Sequence, residues 1–187
     1  MALQFTERWD QYGVIAELAA RLKDVSPQFG KTALQKLVFI LQEVYNVPCG
    51  YEYTLYNYGP YSGDLAGDLS FFASLDGVNI QWNQKFGFKI LPGVKSDHFR
   101  QRAQNFLSKY SDAIAQVINH FGRMTAKELE LRSTIIYVYK EYVYKRTAIV
   151  KDNLISQVKG IKPHFSVPEI TAAIERLIEL KILALDS

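Results

Sequence analysis

Cysteine and histidine are scarce in this chain of 187 residues, which limits the chemistry open to it. The single cysteine, Cys49, excludes an internal disulfide and any cysteine-rich zinc site. The three histidines, His98, His120 and His164, lie far apart in the sequence and lack the spacing of metal ligands. The sequence therefore predicts neither a metal site nor a cofactor.

Long apolar runs are also absent. No stretch approaches the ~20 apolar residues that a membrane-spanning helix needs. The first residues lack the basic-then-apolar pattern of a signal peptide. The composition, 48% hydrophobic and 22% charged residues, is ordinary for a globular protein. We expect a cytoplasmic protein without a membrane partner.

The motifs of the common enzyme classes are missing as well. The chain has no glycine-rich phosphate loop, no Gly-x-Ser-x-Gly elbow and no His-Glu-x-x-His sequence. Cys49 lies between Pro48 and Gly50 without a cation nearby in the sequence, which favours an ordinary small side chain over a reactive thiol. We therefore expect a protein that is not an enzyme.

Apolar spacing predicts a winged-helix-like module over residues 1–93. The predicted order is helix, helix, strand, helix and β-hairpin, a pattern that makes the whole chain mainly α with a small sheet (α+β). Thr32 fits a capping box for the second helix, and Ser62 fits the N-cap of the third. The predicted elements are a helix over 9–23, a helix from 32, a strand over 51–58, a helix over 62–76, and hairpin strands over 78–82 and 86–91.

Pro92 and Gly93 mark a change in composition, and residues 94–187 form a second, helical module in this interpretation. Apolar residues predict one long helix over 97–121, whose apolar stripe could provide the seam of a homodimer. Capping boxes at Thr125 and Ser166 open two further helices. With a short helix over 150–158 between them, this half has a possible second helix-turn-helix, followed by a possible strand over 182–185.

Five tyrosines lie within the eleven residues 51–61, the densest aromatic cluster of the chain. Side chains alternate along a strand, so Tyr51 and Tyr53 are expected inside while one or two others stay at the surface. The alternative is that the whole cluster packs the strand between helices. In the first interpretation the cluster and the acidic start of the third helix bind a protein, through Tyr56, Tyr58, Gly59, Pro60, Tyr61, Asp64 and Asp68.

DNA binding is the second hypothesis, because the winged-helix order is common among DNA-binding proteins. The third helix carries three aspartates and no lysine or arginine, which opposes its insertion into a groove. Lys and Arg number 7 against 9 Asp and Glu in residues 1–93, but 15 against 10 in residues 94–187. The possible nucleic-acid contacts are Lys85, Lys89, Lys140, Lys145, Arg146, Lys151, Lys159 and Lys162, with a solvated helix face and loop as the alternative for the last six.

Residues 31–41, which contain the sequence LQKL, and residues 58–62, which read YGPYS, resemble those of bacterial and archaeal YwgA-like proteins. They also resemble, more distantly, the Panacea domain of phage-associated proteins and antitoxins. Residues 162–166 with Glu169 are similar to YwgA-like sequences too, so that likeness covers most of the chain. The resemblance implies a mostly helical, winged-helix-like fold, and the Panacea likeness, which covers only the first half, implies neutralising a toxin or acting as an adaptor through protein contacts. The partner that we expect is a toxin, a protease or another regulator.

Overall fold

The computed structural model describes residues 3–84 and 87–186, which form a mainly α protein with two small antiparallel sheets. The predicted fold class is confirmed. In the amino-terminal half the elements are α1 (Leu3–Leu22), α2 (Lys31–Glu43), β1 (Thr54–Tyr56), β2 (Gly59–Tyr61), α3 (Gly63–Ser74), β3 (Val78–Asn83) and β4 (Gly87–Pro92). They are followed by α4 (Ser96–Arg102), α5 (Gln104–Lys109), α6 (Ser111–Phe121), α7 (Ala126–Lys145), α8 (Lys151–Ile161) and α9 (Val167–Glu179).

The order α1, α2, α3, β3 and β4 is that of a winged helix, and a backbone contact completes the arrangement. The N–H of Ile90 on β4 donates to the carbonyl of Phe29, just before α2, at 2.8 Å. Phe29 thus occupies the place of the first strand in a winged-helix sheet, on the side of β4 away from β3. The hairpin β1–β2 is inserted between α2 and α3.

Three of the predicted helix caps are present. Ser62 accepts from the N–H of Leu65, and Thr125 and Ser166 open α7 and α9 with complete capping boxes. The capping box predicted at Thr32 is wrong, because α2 begins at Lys31 and its N-cap is Gly30, two residues before Thr32, without a side-chain cap. A side chain at Gly30 would collide with the carbonyl oxygen of Phe88, so glycine is required where β4 crosses the helix start.

The single long helix predicted over 97–121 is wrong, because the chain forms three short helices that bend at Ala103 and Tyr110. Ala103 packs against Gly13 of α1 so closely that a Cβ on Gly13 would collide with the Ala103 side chain. The apolar residues of α6, Ile114, Val117, Ile118 and Phe121, are buried inside the protein. The apolar stripe that was predicted to form a dimer seam is therefore buried in the protein's own core. Residues 182–185, a possible strand, have no regular structure.

Residues 1–93 and 94–187 contribute to one hydrophobic core. Helix α1 packs against α4, α5 and α6, while α2 packs against α6 and α7. The buried apolar side chains of both halves form one connected cluster. Position 93 therefore marks a change of composition and not a gap in packing. No helix in the described part of the chain is both long and apolar enough to cross a membrane.

Candidate functional site: an anchored tyrosine hairpin

The tyrosine cluster folds into the short hairpin β1–β2, in which Thr54 pairs with Tyr61 and Tyr56 pairs with Gly59. The predicted strand over 51–58 is therefore shorter than expected. Gly59 has a φ of +87°, a conformation that side chains disfavour. We call residues 54–61 the tyrosine hairpin.

Three of its tyrosines are exposed. Tyr56 is 63% exposed, Tyr58 67% and Tyr61 40%, and the rings of Tyr56 and Tyr61 lie 6.0 Å apart. The other two tyrosines of the cluster precede the hairpin: Tyr51 is buried, and Tyr53 is half-buried with its ring 5.1 Å from that of Phe39. Tyr51 and Tyr53 lie towards the inside as predicted, but three tyrosines are exposed where one or two were expected.

Two glutamines of α2 hold the chain on either side of the hairpin. Gln35 donates to the carbonyl of Ser62 and accepts from its N–H, both at 2.9 Å. Gln42 does the same for Tyr51, at 2.8 Å and 3.0 Å. Because each amide satisfies both backbone groups of one residue, the two ends of the segment 51–62 are fixed to one helix.

Two buried lysines hold the hairpin itself. Lys36 of α2 donates to the carbonyl of Pro60 at 2.6 Å, and it is 2% exposed. Lys162, also 2% exposed, donates to the carbonyls of Tyr56 and Asn57. Lys162 was predicted as a nucleic-acid contact on a basic patch, and that prediction is wrong because its ammonium group is enclosed beneath the hairpin. Sequence analysis missed Gln35 and Lys36, although two polar residues within an apolar stripe are a signal for buried pairing.

Glu130 of α7 provides the countercharge for these lysines. Its carboxylate lies 2.8 Å from Lys162 Nζ and 3.4 Å from Nε2 of His164. Burial lowers the pKa of Lys36 to about 8, while Glu130 opposes that shift and Lys162 adds to it. The hairpin is thus anchored by a charged cluster that water hardly reaches, in which attraction exceeds its value at a protein surface.

Gly59 is enclosed by the same cluster. A Cβ placed on it would lie 3.1 Å from Thr134 Oγ1, 3.2 Å from Ser133 Oγ and 3.3 Å from Lys36 Cε. Close contact with α7 and a positive φ both select glycine at this position. The segments LQK and YGPYS, which are separate in the sequence, are therefore in direct contact in the folded protein.

A cleft of about 390 Å³ opens between the tyrosine hairpin, the start of α2 and α3, with Tyr56, Tyr58 and Tyr61 among its lining residues. Lys31 and Thr32 line both this cleft and a smaller hollow of about 200 Å³, which contains Trp82 and Phe88. Trp82 is 67% exposed and packs edge-on against Phe88 at 4.9 Å. Lys31 Nζ lies 4.1 Å from the centre of the Phe88 ring. We call Tyr56, Tyr58, Tyr61, Trp82, Phe88 and Lys31 together the aromatic surface.

Asp64 and Asp68 were predicted to share an exposed acidic face on α3. Asp64 is exposed, but Asp68 is 7% exposed. The Asp68 carboxylate accepts from Arg8 at 2.8 Å and from the Tyr51 hydroxyl at 3.1 Å. The prediction of Asp68 as a contact residue is wrong, because its side chain points to α1 and supports the fold.

A wider cleft of about 770 Å³ between α1 and α3 lies beside this ion pair. Trp9, Tyr12 and Phe71 are among its walls. Of its three charged lining residues, Arg8 and Asp68 pair with each other and the third is Asp64. This cleft contains none of the predicted binding tyrosines.

Several of the predicted basic residues already have partners within the protein. Lys145 pairs with Glu141 at 3.0 Å and Lys151 pairs with Glu175 at 2.7 Å. Lys159 donates to the carbonyls of two residues in the loop before α9. Three other predicted basic residues differ in exposure. Arg146 is exposed at the end of α7, Lys140 is half-buried on α7, and Lys89 is half-buried on β4. Lys85 lies outside the described residues.

Among the described residues, no group of three or more His, Cys, Asp and Glu is placed to hold a metal ion. No protein-family model matches the chain, and a search of the curated proteins returns no match.

Proposed function

We propose that this chain is a regulatory protein that acts without catalysis, by binding an acidic segment of a partner protein on the aromatic surface. The observation that carries this proposal is the exposure of Tyr56, Tyr58 and Tyr61 on a hairpin whose backbone is fixed from beneath. Tyrosine contributes a large contact area at low entropic cost and is enriched among binding hot spots.

The anchoring of the hairpin supports binding. A surface already held in one conformation loses little conformational entropy when a partner docks, so more of the contact energy appears as affinity. Gln35, Lys36 and Lys162 hold the hairpin backbone without covering the three exposed rings. Pre-organisation and exposure at the same place favour recognition over a purely structural role for these tyrosines.

The charge around the surface favours carboxylates on the partner. Lys31 is exposed and lies over the ring of Phe88. Within the described residues, Lys31 is not within ion-pair distance of an acidic side chain. Asp64 is the one predicted acidic contact that is exposed, since Asp68 is buried. The likeness of LQKL and YGPYS to antitoxin-associated Panacea proteins agrees with protein binding.

The test is crosslinking of the tagged protein in its own host, followed by identification of the partner and titration of the two purified proteins. The variant Tyr58→Ala/Tyr61→Ala should weaken binding at least ~100-fold, since hot-spot truncations cost ~2 kcal/mol or more each. Tyr144→Ala is the matched control, because Tyr144 is 86% exposed on α7 outside the aromatic surface. Equal affinity of the two variants, both folded, would refute the proposal.

The winged-helix order favours a second candidate, DNA binding. Here β3–β4 would act as the wing, with Lys89 near the phosphates, while the exposed Asp64 at the start of α3 opposes entry into a groove. A salt titration with random duplex DNA decides this candidate. Absence of binding even at ~50 mM salt removes it, because phosphate contacts are strongest at low ionic strength.

A further inference from the structure

Among the described residues, the backbone groups of Ile80 and Trp82 on the outer edge of β3 make no hydrogen bond to another element. Residues Ile80 and Ile90 face each other in the β3–β4 ladder, and the N–H of Ile90 points away from β3 to Phe29. In an antiparallel ladder both residues of such a pair turn their N–H and C=O groups outward. Ile80, and Trp82 two residues later, therefore present these groups along the free edge of β3.

This edge lacks the features that usually protect an exposed strand. Natural edge strands carry charges, prolines or bulges that prevent pairing with another chain. The sequence of β3, Val-Asn-Ile-Gln-Trp-Asn, has no charge and no proline. The other strand of the sheet, β4, contains Lys89 and Pro92, and its outer side is paired with Phe29.

The side chains of β3 are symmetric in chemical type about Ile80. From Val78 to Trp82 the strand reads apolar, amide, apolar, amide, apolar. An antiparallel pairing of two copies with Ile80 opposite Ile80 places Val78 opposite Trp82 and Asn79 opposite Gln81. Apolar residues then meet on one face and amides on the other, which are favourable cross-strand pairs.

The absence of charge on β3 also favours a second copy of the chain as the pairing strand. A two-fold interface brings each surface patch against its own copy, so a charged strand would repel itself. Because β3 is neutral, this cost is absent. Trp82, 67% exposed in the single chain, would be covered by the other copy.

We propose that two copies of this chain associate through β3, with the strands antiparallel and Ile80 at the two-fold axis, to form a continuous four-stranded sheet. The interface goes beyond the proposed binding of a partner: it would cover Trp82 of the aromatic surface and leave Tyr58 and Tyr61 free for the partner.

Sedimentation velocity over about 1 to 200 µM protein tests this proposal, a range that detects affinities typical of small interfaces. The unmodified protein should be dimeric at the upper end. The variant Asn79→Lys/Gln81→Lys should raise the dissociation constant of the dimer about tenfold or more, because like charges then face each other. Both positions are exposed, but Gln81 faces Lys89 within the hairpin. Slow hydrogen exchange of the β4 amides must therefore first show that the lysine variant keeps its hairpin, and the glutamate variant Asn79→Glu/Gln81→Glu avoids this repulsion. Asn153→Lys/Gln157→Lys, which adds the same charge to exposed positions of α8, should remain dimeric.

A charge-rescue experiment identifies the contact itself. Asn79→Glu/Gln81→Glu should also be monomeric alone, and an equimolar mixture with Asn79→Lys/Gln81→Lys should restore the dimer. In the dimer, the amides of Ile80 and Trp82 should exchange with deuterium more slowly. A monomeric unmodified protein at every concentration, or a lysine variant that still dimerises, would overturn the proposal. Neither result bears on partner binding by Tyr58 and Tyr61.

Discussion

Gln35 satisfies both backbone polar groups of Ser62, a residue that follows 27 positions later in the chain. Its Nε2 donates to the Ser62 carbonyl and its Oε1 accepts from the Ser62 N–H, each at 2.9 Å. Ser62 also caps α3 with its hydroxyl. One side chain of α2 therefore fixes the end of the tyrosine hairpin and the start of the next helix together.

Replacing Gln35 with leucine should destabilise the protein by about 1–3 kcal/mol, because the buried N–H of Ser62 loses its partner and the Ser62 carbonyl keeps only the N–H of Ala66. Urea unfolding at constant m-value measures the change. Gln157→Leu, at an exposed position of α8, is the control and should stay within ~0.5 kcal/mol of the unmodified protein. Equal effects of the two substitutions would contradict the anchoring role of Gln35.

Lys162→Met should cost about 3–5 kcal/mol of stability, because it leaves the Glu130 carboxylate buried without its cation. Adding Glu130→Gln in the same chain should recover a large part of that loss. The control, Lys151→Met, breaks an exposed pair with Glu175 and should cost ~1 kcal/mol or less. A double variant as unstable as the sum of the single variants would show that the charges are not coupled.

Gly59→Ala should destabilise the protein by about 2 kcal/mol or more, since the new methyl group meets both a positive φ and close neighbours on α7. Gly160→Ala is the matched comparison in the last turn of α8, where a Cβ would meet nothing within 4 Å. That substitution should stabilise the protein by ~0.5–1 kcal/mol. Thermal unfolding should give a lower melting temperature for Gly59→Ala and a higher one for Gly160→Ala than for the unmodified protein.

Cys49 should be nearly inert in the folded protein. Burial raises the pKa of its thiol from 9.0 to about 12, which at pH 8 lowers the thiolate population roughly 1000-fold. Reaction with Ellman's reagent at pH 8 should therefore be slow under native conditions and complete after unfolding in urea. Fast reaction of the folded protein, at the rate of a free cysteine, is the contrary result.

Much of the fold could be predicted from local patterns. The N-cap Ser62 and the capping boxes at Thr125 and Ser166 involve residues three positions apart, so the sequence contains the whole interaction. The bend at Ala103 could not be predicted, because it depends on the close approach of Gly13 from α1. An unbroken apolar spacing is compatible with either a straight helix or a bent one.

The candidate binding site, like the fold, could be predicted from the sequence only in part. Tyr51 and Tyr53 were expected inside from alternation along a strand, but both precede β1, and their contacts with Asp68 of α3 and Phe39 of α2 decide their burial. The burial of Asp68 was not predictable, because its partner Arg8 lies 60 positions away. Protein binding by Tyr58 and Tyr61, and nucleic-acid binding by the lysines, stay predictions.

The sequence by itself determined the mainly helical class, the caps of three helices and the presence of an aromatic cluster, because each depends on neighbouring residues. Tertiary structure decided which charges are buried and what they hold. Lys36 and Lys162 read in the sequence as ordinary lysines, yet both point under the tyrosine hairpin, where backbone carbonyls and Glu130 replace water around their ammonium groups. Folding therefore converts two cations into anchors and leaves the tyrosine rings outside.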